Sequence, residues 1–345
     1  TKIIGYNIED NQLKLTLDFD NVVQYTNDNK QDKLQIVFGE MNNGVAENIT
    51  LEGLIREMEA NPTGTFTLTR DYDASIITKS TNALISSFMG KLNGNGHKIY
   101  NLSKPLFDTL ESATIENLVL ESPKLSGVNS RGTLANIANN STVRNIHVKD
   151  LNLITGTNRV DGIFGETIAT TIEQSSVTNF KITTALHIRV GGIVGNMMGG
   201  SIKNCYVEGN INSTQNKDGN GISGVLGTGD GADLITIENC ITKVTYTNNV
   251  SARLNGDIVG LALNNNTSLV NNVSLSTGNN FYNVHGSTIH ATSANNYELA
   301  NSGLVTNASG NRVKQITKEE LTTDFFKNNA IFDEAIWDLT DVSYD

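Results

Sequence analysis

Two short landmarks recur through the middle of this chain with a period of about 30 residues, and no other feature restricts its fold as strongly. The first is Gly192-Ile193-Val194-Gly195, repeated as Gly162-Ile163-Phe164-Gly165, Gly224-Val225-Leu226-Gly227 and Asp257-Ile258-Val259-Gly260. Looser versions stand earlier, at Gly132-Thr133-Leu134-Ala135 and Pro105-Leu106-Phe107-Asp108. The second landmark is Ser201-Ile202-Lys203-Asn204. It is matched by Thr114-Ile115-Glu116-Asn117, Thr142-Val143-Arg144-Asn145, Thr171-Ile172-Glu173-Gln174, Thr236-Ile237-Glu238-Asn239 and Ser268-Leu269-Val270-Asn271.

Helical repeats need apolar residues at a spacing of about 3.6 and good helix formers, whereas these units are rich in Asn, Thr, Gly, Val and Ile. Stretches such as Thr142 to Val148 alternate apolar and polar residues, as strands do. Short strands separated by Gly and Asn turns, without hairpin spacing, predict an all-β chain folded as a right-handed parallel β-helix. The solenoid has about six coils of ~30 residues each, a period too short for propeller blades of about 40. The expected organisation is an N-terminal β segment over 1–48, a leading helix and cap over 49–104, the β-helix over 105–290, and a helix-bearing C-terminal cap over 291–345. In the first segment the strand-like runs are Lys2 to Ile8, Leu13 to Phe19 and Leu34 to Phe38. Thr50 can cap a helix carrying Leu51, Leu54, Ile55 and Met58, and Thr317 with Glu320 forms a capping-box pattern ahead of Leu321, Phe325 and Phe326.

The glycines could suggest a phosphate cradle, but neither a Lys-Ser/Thr pair nor a βαβ context accompanies them. They read as structural, where a corner needs positive φ or close backbone approach. The polar residue after each second landmark (Asn117, Asn145, Gln174, Asn204, Asn239 and Asn271) reads as a ladder of stacked amides; a row of sugar-binding amides is the alternative. Cys205 and Cys240 fall at one phase of consecutive coils, a phase held earlier by Leu118 and Ile146. They are expected as adjacent, buried, reduced thiols.

With 25 Lys and Arg against 36 Asp and Glu, the net charge is −11, which argues against nucleic-acid backbones and anionic membranes as partners. No apolar run of 18 residues is present. The chain starts at Thr1 without a signal-like segment and reads as a mature piece or a fragment.

The repeat resembles the GLUG repeat of bacterial surface proteins. The stretch from Leu54 to Phe66, then Asp71-Tyr72-Asp73-Ala74-Ser75 and Gly90 to Leu102, is similar to the N-terminal region of streptococcal-type immunoglobulin A proteases and related zinc metalloproteases. The resemblance spans roughly residues 50 to 280 and implies a secreted or wall-attached Gram-positive protein whose zinc peptidase domain lies downstream. None of the five histidines, His97, His147, His187, His285 and His290, opens a His-Glu-x-x-His motif. The chain is therefore expected to be non-catalytic and to need no cofactor of its own. A candidate calcium loop at Asp230 and Asp233 and the carboxylate pair Asp71 and Asp73 are the nearest approaches to a site.

The expected role is recognition and positioning, by a monomer, of a host or extracellular protein such as an immunoglobulin, with a stand-alone adhesin that binds a surface glycan as the alternative. Arg131, Arg159, Arg189 and Arg253 recur near one phase of the coil. They form either a partner-binding basic stripe or a set of solvated cations paired to acids such as Asp161.

Overall fold

The computed structural model describes residues 2–9, 12–18, 41–42, 45–46, 50–77, 79, 81–126, 132–155, 159–184, 189–213, 221–247, 256–263, 266–278, 291–304 and 313–340. Two compact units result, residues 1–57 and 58–345. In the first, the strand-like runs expected at Lys2 and Leu13 form strands Lys2–Glu9 and Gln12–Asp18, which pair antiparallel, and Met41–Asn42 pairs with Val45–Ala46. The expected run Leu34 to Phe38 lies outside the described residues. Helix Leu51–Ala60 starts where Thr50 Oγ1 accepts from Gly53 N at 3.1 Å, and Leu51, Leu54, Ile55 and Met58 are buried.

The second unit is a parallel β-helix. The second landmark stacks in register from coil to coil: Thr114 pairs with Thr142, Thr142 with Thr171, Thr171 with Ser201, Ser201 with Thr236, and Thr236 with Ser268. This ladder extends past the landmark-bearing coils at both ends, through Lys91 to Thr65 on one side and to Thr292 on the other. Between these two ends the following position points inward. Leu92, Ile115, Val143, Ile172, Ile202, Ile237 and Leu269 form a column no more than 1% exposed. A second inward column comes from the first landmark: Ile85, Phe107, Ala135, Phe164, Val194, Leu226 and Val259, all fully buried.

At that landmark the stacking corrects two alignments. Ala135 pairs with Phe164, so Thr133, and not Gly132, lies on Gly162; Phe107 pairs with Ala135, so Pro105 lies on Thr133. The inward apolar side chain sets the register, and the glycine follows it. Nor do these glycines supply positive φ. A Cβ on Gly162 would stand 1.8 Å from the Gly192 carbonyl oxygen, and one on Gly192 would stand 2.0 Å from that of Gly224. Successive coils touch backbone to backbone here, and only a residue without a side chain fits. Asp257 ends the column, fully buried, accepting from Tyr246 Oη at 2.6 Å and from Thr242 Oγ1. Burial pushes its carboxyl up, against the pull of those hydroxyls.

Positive φ belongs instead to the corners. In three consecutive coils a left-handed residue occurs every fifth position: Ser112, Asn117 and Ser122; Asn140, Asn145 and Asp150; Ala169, Gln174 and Asn179. Asn and Asp tolerate this region better than other side chains because of their short polar groups. Inter-coil bonding continues through the bend, with Asn140 N donating to Ile168 O at 2.9 Å and Gln174 N to Lys203 O at 3.0 Å. In the next coil Gly199 and Asn204 hold two corners, but the third is lost, because Asn179 is a bulge with Phe180 paired directly to Gly209. Strand Tyr206–Ser213 therefore runs on without a turn.

The residue after each middle corner points inward. Leu118 and Ile146 are followed there by Ser175, Cys205, Cys240, Asn272 and Asn296. The polar members close backbone bonds: Ser175 Oγ accepts from Ile146 N at 3.1 Å, and Asn272 Oδ1 accepts from Cys240 N at 2.9 Å. Cys205 and Cys240 are free and fully exclude solvent, on adjacent coils joined by Ile241 N donating to Cys205 O at 2.9 Å. Burial pushes the Cys240 thiol up, and the neighbouring Cys205 adds to the effect.

At the far end the capping-box half-bond forms, Thr317 N donating to Glu320 Oε2 at 2.8 Å. No regular α-helix follows; a turn leads instead into the π-helical turn Phe325–Asn329. Tyr297, Phe325, Phe326, Phe332 and Trp337 interlock edge to face over the last coils, with centroids 4.8 to 5.4 Å apart. A wide helical stripe is unnecessary when aromatic edges cover the coil.

Two outcomes follow from the corners and the inner column. Ala169 is the corner residue least suited to positive φ, so Ala169→Gly should raise stability by roughly 0.5–1 kcal/mol and Ala169→Val lower it by about 1–2 kcal/mol in urea unfolding. A thiol reagent should label neither Cys205 nor Cys240 in the native protein and both after unfolding; rapid native labelling would remove them from the core.

Candidate functional site

Charged, amide and hydroxyl side chains gather at the middle corner. In five consecutive coils the residue before this corner is charged, with alternating sign. Glu116 pairs in register with Arg144, Arg144 with Glu173, Glu173 with Lys203, and Lys203 with Glu238. Neighbouring rungs lie about 4.8 Å apart, so like charges would repel at every step and opposite ones attract. Ion pairs span Arg144 to Glu173 at 3.7 Å and Lys203 to Glu238 at 3.2 Å.

The corner itself is the expected amide ladder, and the structure brings only part of it together. Asn145 Nδ2 donates to Asn117 Oδ1 at 2.9 Å, Asn117 Nδ2 to Asn93 Oδ1 at 3.2 Å, and Asn295 Nδ2 to Asn271 Oδ1 at 2.8 Å. Between these segments other groups intervene: Gln174 Oε1 accepts from Arg144 Nε at 2.6 Å, and Asn204 Oδ1 from Trp337 Nε1 at 3.5 Å. All six residues, Asn239 included, are held at positive φ. The backbone thus accounts for the amides at least as well as the ladder does.

Two residues past the corner, His147, Ser176 and Tyr206 stack on successive rungs. His147 Nδ1 lies 2.8 Å from Ser176 Oγ, and its Nε2 lies 2.8 Å from Asn145 Oδ1. Burial, then the nearby Lys149, pull His147 below the ordinary imidazole range. Burial raises Tyr206, whose Oη donates to Glu208 Oε2 at 3.0 Å. Across from these columns comes the segment Ala335-Ile336-Trp337, returned to the corner from far along the chain. A groove of about 620 Å³ is lined by Asn145, Gln174 and Asn204 from the corner and by Ile336 and Trp337 from the returning segment.

The remaining candidates are dispersed. Arg159 and Arg189 do stack on adjacent rungs, but Arg131 and Arg253 lie outside the described residues. Arg189 pairs with Asp230 at 3.2 Å, and not with Asp161, which is buried and accepts from Gly191 N at 2.9 Å. That ion pair engages one carboxylate of the candidate calcium loop, while Asp233 is exposed beside Gly199. Asp71 accepts from Lys98 N and His97, Asp73 from Asn101 and Ser75 N; both carboxyls sit below their ordinary range, led by the Lys98 amide for Asp71 and by the Asn101 amide for Asp73. Among the described residues no three His, Cys, Asp or Glu side chains gather as metal ligands. His187, His285 and His290 lie outside the described residues.

Sequence reasoning missed the alternating charges and the groove. The alternation stands in the third position of the second landmark from Glu116 to Glu238 and ends at Val270. Nothing local signals that Trp337 returns to Asn204.

Residues 7–150 match the family described as the N-terminal region of M26 IgA1-specific metallo-endopeptidases, and residues 187–212 match the GLUG motif. An immunoglobulin A1 protease of Streptococcus pneumoniae is 31% identical over 196 residues, covering 52% of this chain and 10% of that protein. The zinc metalloprotease ZmpC of the same species is 34% identical over 158 residues, covering 43% of this chain and 8% of the relative. A solved IgA1 protease structure superposes with a TM-score of 0.61 at 21% identity, over 78% of this chain and 23% of that one. The resemblance read from the sequence is thereby borne out, and the chain spans about a tenth of the length of the curated relatives it matches.

The charge column predicts its own sensitivity. Arg144→Glu should destabilise the protein by about 1 kcal/mol at low salt, an effect that shrinks at high ionic strength. Arg144→Gln should stay within about 0.5 kcal/mol of the parent. Equal effects of the two changes, or no salt dependence, would show that alternation carries no energy.

Proposed function

We propose that this chain is a non-catalytic recognition and positioning region of a secreted or wall-attached zinc metalloprotease that acts on immunoglobulin A1. The observation that carries this reading is the match of residues 7–150 to the N-terminal region of that protease family. The relatives' names supply the substrate, and this chain covers 10% and 8% of two of them. The absence of a His-Glu-x-x-His motif from the sequence supports a role that precedes hydrolysis. A rigid solenoid suits that role, because its side offers a long surface built from successive coils. The groove at the middle corner concentrates the polar and aromatic groups of that surface.

Immobilised chain should bind immunoglobulin A1 saturably, with a dissociation constant of about 1 μM, and leave immunoglobulin G in solution. Prolonged incubation should leave the bound immunoglobulin intact. Absence of saturable binding sinks the recognition reading, and cleavage by the purified chain sinks the non-catalytic one.

A further inference from the structure

We propose that the groove between the middle corner and Trp337 is a saccharide site that takes a linear, neutral oligosaccharide lying along the solenoid axis. This rests on the recognition reading but not on the identity of the protein partner. The corner wall repeats planar amides, Asn145, Gln174 and Asn204, on consecutive rungs. Each primary amide offers two donors and an acceptor oxygen with two lone pairs. Asn145 directs one N–H to Asn117 and has His147 on its oxygen, which leaves an N–H and a lone pair for a ligand. Paired donors and acceptors at fixed separation match adjacent hydroxyls on a sugar ring.

The opposite wall supplies the second half of saccharide chemistry. Trp337 is half-buried, with Nε1 donating to Asn204 and its ring inclined against Phe332 with centroids 5.0 Å apart, so the indole is held in place before any ligand arrives. Ile336, 37% exposed, extends the apolar rim. A broad aromatic face receives the C–H face of a pyranose while the amides take its hydroxyls.

Other occupants fit less well. A peptide strand adds to a sheet through free backbone groups, but those of adjoining coils are engaged with one another, as in Tyr206 N to Ser175 O at 3.0 Å. A nucleic acid meets a chain of net charge −11, and a lipid meets a polar wall. Within the groove the guanidinium of Arg144 is balanced by Glu173, so no net positive charge selects an anion. Because the amides recur about every 4.8 Å along the axis, a longer saccharide should engage more rungs.

Trp337 is the only tryptophan in the chain, so its fluorescence reports the site directly. Cello-, chito- and manno-oligosaccharides, from the monosaccharide to the hexasaccharide, are titrated into the full chain. For the best series the emission should change saturably, with affinity rising about tenfold between disaccharide and tetrasaccharide. Isothermal titration should show a loss of about tenfold or more for Trp337→Ala and little loss for Trp337→Phe. Asn145→Gly, which keeps the left-handed corner and removes only an amide, should weaken binding severalfold; it covers the case in which Trp337→Ala disturbs the cap. No response from any series, affinity independent of length, or binding unchanged in both Trp337→Ala and Asn145→Gly would overturn the proposal. Immunoglobulin A1 binding is measured with the same proteins. If it persists while the oligosaccharides fail, the groove assignment falls alone; if the oligosaccharides bind and the immunoglobulin does not, the protein-recognition reading falls alone.

Discussion

The hydrogen bond from one coil to the next, kept in register through the corners as well as along the strands, is the contact on which this solenoid rests. Bonds such as Gln174 N to Lys203 O at 3.0 Å and Asp150 N to Thr178 O at 3.0 Å carry the ladder around bends where a sheet would ordinarily end. A corner that turns without breaking the ladder needs a left-handed residue, and Asn, Ser or Asp meets that need most often. Like then lies on like for the length of the stack. For Ile172 on Val143 this is favourable, because an apolar column packs well. For charged rungs it is unfavourable unless the sign alternates, as it does from Glu116 to Glu238.

What was legible in the sequence follows from what is local. The second landmark gave its register correctly at every coil because it joins an inward aliphatic to a corner polar residue, two constraints two residues apart. The first landmark slipped at Gly132 because glycine marks a close approach between coils, and neighbouring positions can share that burden. Thr317 and Glu320 marked a chain reversal correctly, but aromatic packing set the shape of what followed. The arginine stripe is a one-phase pattern, whereas the acid that Arg189 meets, Asp230, lies in a loop that no periodicity describes. Trp337 was the least legible of all. Its position depends on the whole path of the cap, and only folding brings it to Asn204.

The groove inherits its floor from the corner requirement. Amides stand there because the backbone turns there, so a polar, hydrogen-bonding strip is a by-product of building the coil. What turns the strip into a site is the second wall, contributed by the aromatic cap that also shields Leu275, Leu299 and Ile316 from water. Closing the end of the solenoid and furnishing its side are thus tasks of one segment, and changes in the cap should be felt in both.

The charge column also limits how such a protein can grow or shrink. Repeat arrays lengthen by duplicating whole units, and most columns here would accept an extra coil without complaint, since aliphatic on aliphatic and Asn on Asn remain good neighbours. The column from Glu116 through Arg144, Glu173 and Lys203 to Glu238 would not. Inserting one charged coil, or deleting one from inside the column, sets two equal charges face to face, whereas inserting or deleting an adjacent pair restores the alternation. Along this stretch the array has a parity: its natural unit of duplication is the coil pair.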